Sequence, residues 1–119
     1  MNIEEVRDYC LAKKGVTESF PFDEVTLVFK VMNKMFALAS LERNPLTVNL
    51  KCDPERSVSL REQYDGEIIP GFHMNKLHWN TVTMEGNVPR DLIIELIDHS
   101  YQLIIDSLPK KTQKEWEEL

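Results

Sequence analysis

The sequence has 119 residues, of which 42% are apolar and 29% charged, and its 20 acidic side chains outnumber its 14 Lys and Arg to give a net charge of −6. A chain of this length can bury a core, so we expect a single domain over residues 1–119. The composition excludes disordered, collagen-like and disulfide-stapled classes, and the negative charge argues against a general polyanion binder. No apolar run approaches the roughly 18 residues of a membrane span, and the two cysteines favour a reducing, cytoplasmic setting.

The N-terminal segment predicts a helix that begins after Asn2, because Asn2 and Glu5 have the spacing of a capping box. Apolar side chains then recur at helical spacing, and Gly15 closes the segment. The run Phe20-Pro21-Phe22 comes next, and we expect its two aromatic rings to plug the edge of the core.

The middle of the chain carries the clearest strand pattern. Segments 26–32 and 35–41 flank Asn33-Lys34, which predicts a hairpin with a two-residue turn. Residues 46–52 alternate between apolar and polar side chains, as a half-buried strand does. We therefore expect three consecutive strands in an antiparallel meander.

The remaining elements follow from caps and periodicity. Asp53 followed by proline predicts a short surface helix over residues 54–63, and a strand is expected over residues 79–85. The longest helix is expected over residues 89–108, and a further short helix can follow Pro109. The predicted class is therefore α+β.

The longest predicted helix is apolar over more of its surface than a sheet can cover. Leu92, Leu96 and Leu103 fall almost opposite the stripe that would face the sheet. Either another part of the chain covers them or they form an interface with a second subunit. A protein-interaction module, such as a homodimer formed through this helix, is therefore one functional hypothesis.

The sequence offers no signature of catalysis or cofactor binding. Its four glycines do not have the spacing of a phosphate-binding loop, and no nucleophile elbow or Cys-x-x-Cys motif occurs. Cys10 and Cys52 fall on predicted core faces, and His73 and His78 would point to opposite sides of a strand. We expect no catalytic residue, no metal site and no cofactor, and therefore no enzyme.

Positive charge is concentrated in one part of this acidic chain. Against a single acid, Glu42, residues 26–52 contain four basic side chains: Lys30, Lys34, Arg43 and Lys51. Lysines on solvent-facing strands often serve only to discourage edge pairing. Gathered on one surface, they would instead bind phosphate groups.

A second unusual run covers residues 70–79, which hold two histidines, two aromatic rings, an amide and a lysine. Hydrogen-bond donors beside aromatic faces suit contacts with phosphates and bases. The same residues could equally anchor a loop by bonding backbone groups. A pocket for a small anion or metabolite under residues 73–79 is a third hypothesis.

Four blocks of the sequence, residues 30–37, 48–55, 70–79 and 100–101, together resemble the MmcQ/YjbR family. The resemblance extends from about residue 15 to residue 111, and the 70–79 run is its most specific part. It implies a compact bacterial domain with the CyaY-like (frataxin-like) fold, a two-layer α+β sandwich in which helices pack on one face of an antiparallel sheet.

The resemblance also implies a function, because this family has been described as a double-wing, DNA-binding domain. The matching positions that could face a ligand are Lys30, Lys34, Lys51, His73, Asn75, Lys76, His78 and Trp79. In this hypothesis the strand lysines contact phosphates, and residues of the 70–79 run contact sugars or bases. Few such contacts predict weak, salt-sensitive binding, with a dissociation constant of about 10⁻⁴ to 10⁻⁶ M at physiological salt.

Overall fold

The computed structural model describes all residues, 1–119, and contains four helices and six strands. In chain order the elements are α1 (Ile3–Leu11), β1 (Val16–Ser19), β2 (Thr26–Val31), β3 (Lys34–Ser40), β4 (Thr47–Lys51), α2 (Pro54–Gln63), β5 (Ile68–Pro70), β6 (Trp79–Thr83), α3 (Arg90–Ser107) and α4 (Lys110–Glu117). This arrangement confirms the predicted α+β class.

The six strands form one sheet in the order β1-β2-β3-β4-β6-β5, and every neighbouring pair is antiparallel. The main core lies between this sheet and the helices, where α3 crosses β2, β3 and β4. No helix covers the opposite face of the sheet, which we call the open face. The molecule is therefore a two-layer sandwich with one exposed sheet surface, as the predicted fold requires.

The helix starts follow the predicted caps. The Asn2 side chain accepts a hydrogen bond from the Glu5 amide at 2.8 Å, and the Glu5 carboxylate accepts one from the Asn2 amide at 3.2 Å. Asp53 caps α2 by accepting from the amides of Glu55 and Arg56. These contacts satisfy backbone donors that the first turn of a helix leaves unpaired.

A buried serine ties α3 to the sheet. A β-bulge between β2 and β3 interrupts the pairing beside Phe36. The fully buried Ser100 hydroxyl donates to the Phe36 carbonyl at 2.6 Å and accepts from the Lys51 amide at 2.9 Å. It thereby satisfies two backbone groups that the bulge would otherwise leave without partners.

The hairpin turn between β2 and β3 lies one residue earlier than the sequence predicts. Met32 and Asn33 have φ angles of +49° and +66°, and Val31 pairs with Lys34. Two consecutive positive φ angles define the type I′ turn that fits the twist of a hairpin. Lys34 is consequently the first residue of β3 rather than a turn residue.

The chain itself covers much of the apolar arc on α3. Leu96 is only 3% exposed, while Leu92 and Leu103 are half-buried. The predicted C-terminal helix is present, and its Trp116 packs on Tyr101 of α3 with a hydrogen bond of 2.9 Å between the indole nitrogen and the Tyr101 hydroxyl. The part of the apolar arc that the folded chain leaves exposed is thus smaller than the sequence indicates.

The segment after α1 departs from the prediction in two respects. Residues Val16–Ser19 form an edge strand, β1, which is absent from the elements that the sequence predicts. Phe20 and Phe22 do not plug the core, because they are 48% and 64% exposed. None of the four helices combines the length and hydropathy needed to cross a bilayer.

Candidate functional site

The open face is organised by strand pairing into three rows of side chains, because residues directly opposite each other in a sheet share a face. The first row comprises Lys30, Met35, Lys51 and Trp79; the second Val28, Leu38, Asn49 and Thr81; the third Thr26, Ser40, Thr47 and Thr83. Val28 and Leu38 are buried although they lie outside the main core. Loops on either side of these two residues therefore shield the centre of the open face.

Lys30 and Lys51 lie at the same end of the open face. Only β3 separates their strands, so their backbones are about 10 Å apart. Neither ammonium group forms an ion pair, since neither lysine is a partner in any of the four ion pairs of the molecule. Trp79 is directly opposite Lys51. Two lysines without ion-pair partners and an indole, all three half-buried, are thus neighbours on the open face.

Lys34 does not join this group. It lies directly opposite Val31, whose side chain belongs to the core on the helix side of the sheet. Because alternate residues of a strand face opposite ways, the one-residue shift of the turn places Lys34 on the side away from Lys30. The structure therefore separates the strand lysines into a pair and a single residue.

Three residues of the 70–79 run make hydrogen bonds that anchor this loop, two within it and one to the residue after β4. The Lys76 ammonium donates to the Gly71 carbonyl at 3.2 Å, and the Asn75 side chain accepts from the Leu77 amide at 2.9 Å. The His78 carbonyl accepts from the Cys52 amide at 2.8 Å, which continues the β4–β6 pairing. The loop-anchoring interpretation accounts for these contacts of Asn75, Lys76 and His78.

The same loop is fixed to the helix layer by Arg61 of α2. Its guanidinium donates to the side chain of Asn80 at 2.8 Å and to the backbone carbonyls of Lys76 and Trp79 at 2.6 and 3.3 Å. Asn80 is buried and also donates to Ser57 at 3.1 Å. These contacts hold Trp79 in place from behind the sheet.

A cleft of about 600 Å³ lies beside this loop on the open face. Its lining is formed by Phe22, Asp23, Val25, Thr26, Met35, Leu38, Ser40, Glu42, Arg43, Asn49, Phe72, His73 and Met74. The Arg43 guanidinium lies 4.3 Å from the centre of the Phe72 ring, and the His73 ring meets Phe72 edge-on at 4.8 Å. His73 has a φ of +60°, a left-handed conformation at the turn of the loop.

A buried polar network attaches Phe72 to the sheet. The Thr81 hydroxyl donates to Asn49 Oδ1 at 2.6 Å and accepts from the Phe72 amide at 2.9 Å, while Asn49 Nδ2 donates to the Phe72 carbonyl at 3.0 Å. Asn49 and Thr81 are 8% and 4% exposed. Both backbone groups of Phe72 are therefore bonded to the open face.

The opposite wall of the cleft is built on Asp23. Its carboxylate accepts hydrogen bonds from the amides of Val25 and Thr26 and from the Thr26 hydroxyl. These hydrogen bonds lower the pKa of Asp23, and the bond from the Val25 amide has the largest effect. Asp23 is consequently charged at neutral pH and orders the backbone beside Phe22.

The structure thus brings together Lys30, Lys51 and Trp79, with His73 at the nearby cleft, and leaves Lys34 apart. Sequence reasoning missed Phe22 and Phe72 as cleft walls, and it counted Arg43 only as part of the basic segment. The available signal was the presence of phenylalanines in two loops that flank solvent-facing strands. No cluster of three or more His, Cys, Asp or Glu side chains has the geometry to hold a metal ion.

These features define a small two-layer α+β domain with one open sheet face. The YjbR family model matches residues 11–103, and the chain belongs to the YjbR family. The uncharacterized protein YjbR of Escherichia coli K12 is 37% identical over 114 residues, which cover 96% of each chain. Protein YbdF of Escherichia coli O157:H7 is 40% identical over 95 residues, covering 80% of this chain and 77% of that protein.

Two solved structures show the same architecture. The crystal structure of Deinococcus radiodurans protein DR2400 has a TM-score of 0.93 and 40% identity, covering 98% of this chain and 88% of that one. A crystal structure of a Pseudomonas syringae protein has a TM-score of 0.74 and 30% identity, covering 87% of this chain and 98% of that one.

Proposed function

We propose that this protein binds single-stranded DNA weakly, through the open face of its sheet. Lys30 and Lys51 contact phosphates, and Trp79 stacks on a base or sugar. The observation that carries the proposal is the pair of lysines without ion-pair partners on the sheet face that no helix covers, with Trp79 directly opposite one of them. The role is one of binding and involves no reaction.

The distribution of charge supports this surface. The only acidic residue in the six strands is Glu18, which faces α1 and is bonded to the Arg7 guanidinium at 2.5 and 2.7 Å. Eleven of the 20 acids lie on the four helices, on the other side of the sheet, while Asp23 and Glu42 lie in the loops that line the cleft. A phosphate that approaches Lys30 or Lys51 therefore meets no strand carboxylate.

The form of the surface favours a single strand. An antiparallel sheet face without a helix layer, with a half-buried aromatic side chain at one end, provides a platform on which unpaired bases can stack. Two phosphate contacts predict a salt slope no steeper than about −1.4 in a log–log plot for single-stranded nucleic acid. The predicted affinity is accordingly low and salt-sensitive.

The two free thiols agree with a cytoplasmic location for this role. Cys10 and Cys52 are buried and unpaired. Burial raises the pKa of Cys10 to about 12, so the thiol stays protonated and unreactive. Free buried cysteines are typical of proteins that fold under reducing conditions.

The test is fluorescence anisotropy of a labelled single strand with the double variant Lys30→Glu/Lys51→Glu. The matched control is Lys110→Glu/Lys111→Glu, which changes two exposed lysines of α4 and lowers the net charge by the same four units. We expect the first variant to lose at least about tenfold in affinity at low salt and the control to lose much less. Equal losses in both variants would refute a local phosphate contact.

A further inference from the structure

We infer that the cleft beside Phe72 holds one base of the bound strand, an inference that rests on the proposed function. The cleft adjoins the lysines directly, since Met35 both lines it and lies opposite Lys30. Its volume of about 600 Å³ falls within the range of small-molecule sites. A strand held by Lys30 and Lys51 would therefore have a cavity of suitable size beside it.

The walls of the cleft suit a flat aromatic ring. Phe22 and Phe72 are 64% and 45% exposed, although phenylalanines in a domain of this size are normally buried. The apolar floor is Leu38, which is 5% exposed. A base inserted beside these rings would cover the part of their apolar surface that the folded chain leaves exposed.

The Phe72 wall is held in position before any ligand arrives. Asn49 and Thr81 bond both backbone groups of this residue to the open face. The side chain of Phe72 takes no part in these bonds. The backbone is thus fixed, which lowers the entropy cost of binding, and the ring, with Arg43 stacked on it, is still 45% exposed.

The cleft has different polar groups at its two ends. Met35 and the neighbouring lysines lie at one end of β3, whereas Glu42 and Arg43 lie beyond the other end, about 15 Å away. The side chains of Glu42 and Arg43 form no hydrogen bond or ion pair within the protein, apart from the stacking of Arg43 on Phe72. They can therefore pair with the edge of a base while the phosphates remain near the lysines.

This pair of groups predicts a base preference. Arg43 can donate to a ring nitrogen or carbonyl, and the Glu42 carboxylate can accept from an exocyclic amino group. Cytosine, adenine and guanine carry such an amino group, and thymine does not. We therefore expect oligo-dC to bind more tightly than oligo-dT of equal length, since the two differ little in size.

The experiment measures anisotropy with labelled oligo-dC and oligo-dT of about twelve nucleotides. Phe72→Ala removes the wall, and Phe20→Ala is the matched control, because Phe20 is 48% exposed and does not line the cleft. Loss of one stacked base predicts an affinity for oligo-dC about 5- to 150-fold lower for Phe72→Ala, with Phe20→Ala unchanged. Glu42→Ala should abolish the preference for oligo-dC.

The outcomes separate this inference from the proposed function. If Phe72→Ala binds like the wild type while Lys30→Glu/Lys51→Glu loses affinity, the cleft does not hold a base and the proposed function stands. If wild-type protein binds neither oligonucleotide at low salt, the proposed function fails and the inference fails with it. Equal wild-type affinities for oligo-dC and oligo-dT would overturn the roles of Glu42 and Arg43. Thermal melting of each variant verifies that it is folded.

Discussion

Replacing Thr81 by valine tests whether the polar network on the open face stabilises the fold. The substitution keeps the β-branched shape and removes the hydroxyl, which donates to Asn49 Oδ1 and accepts from the Phe72 amide. Asn49 Oδ1 is then left without a partner in a residue that is 8% exposed. An unsatisfied buried acceptor costs about 1–3 kcal/mol, and the more accessible Phe72 amide, which can turn to water, adds about 0.5 kcal/mol.

Valine offsets part of this cost through its higher strand preference, by about 0.5 kcal/mol. The net expectation for Thr81→Val is therefore a loss of about 1–3 kcal/mol in the free energy of unfolding. Thr83→Val is the matched control, because Thr83 lies on the same strand and face and its hydroxyl makes no hydrogen bond. We expect this control to change stability by less than about 0.5 kcal/mol.

The measurement is urea unfolding of both variants, followed by tryptophan fluorescence and fitted with a common m-value. Hydrogen exchange gives a second readout, since the Phe72 amide should exchange faster in Thr81→Val. Equal unfolding midpoints for Thr81→Val and Thr83→Val would refute the argument that the network stabilises the fold. Unchanged exchange of the Phe72 amide would show that Thr81 does not anchor the loop.

Three further predictions concern the helix layer. Ser100→Ala leaves the buried Phe36 carbonyl and Lys51 amide unpaired and should lower the free energy of unfolding by about 2–3 kcal/mol in urea titrations. Ser107→Ala removes only one hydrogen bond, to the Ile104 carbonyl, on an exposed residue and should cost no more than about 1 kcal/mol. Leu96→Asp should destabilise the monomer by about 3–5 kcal/mol, because Leu96 is buried within the chain; a folded variant with a changed sedimentation coefficient would instead indicate a dimer interface. Burial of the ring is the main cause that lowers the pKa of His99, and the Arg56 charge lowers it further; the ring Nε2 also accepts a hydrogen bond from the Asp53 amide at 3.1 Å. Protonation therefore favours the unfolded state, so the contribution of His99 to the free energy of unfolding is complete above its unfolded pKa of about 6.5. This contribution is lost as the pH falls through the lower folded pKa. Denaturant unfolding at several pH values should therefore show less acid sensitivity below neutrality in His99→Gln than in the wild type.

Much of the fold could be predicted because its determinants are local. The caps at Asn2 and Asp53, the alternation over residues 46–52 and the long apolar period of α3 each act over a few residues of sequence. The same alternation placed Lys51 among the polar side chains of its strand, and the structure has it on the open face. Edge strand β1 could not be predicted, because a segment of four residues is too short to show an alternating pattern.

The candidate site was harder to predict because it depends on register and on distant contacts. Moving one turn by a single residue was enough to place Lys34 on the other side of the sheet. Asn49 and Thr81 are 32 positions apart, and no local pattern shows that they meet at Phe72. Phe20 and Phe22 were expected in the core because of their hydrophobicity, but the open face has no second layer that could bury them.

The net charge of −6 and the proposed affinity for DNA are compatible because the fold separates the charges. Most carboxylates lie on the helices, whose layer stands about 10 Å behind the sheet. At physiological salt the Debye length is about 8 Å, so these acids are largely screened from a phosphate at Lys30 or Lys51.

As the salt concentration falls, the lysine contacts strengthen, but the repulsion from the helix layer reaches further. The log–log salt dependence should therefore flatten at low salt instead of remaining straight. Lys110→Glu/Lys111→Glu should flatten it further, because it adds charge only to the helix side, whereas Lys30→Glu/Lys51→Glu should remove the slope itself. A straight line of unchanged slope in the α4 variant would contradict this separation of local attraction from overall repulsion.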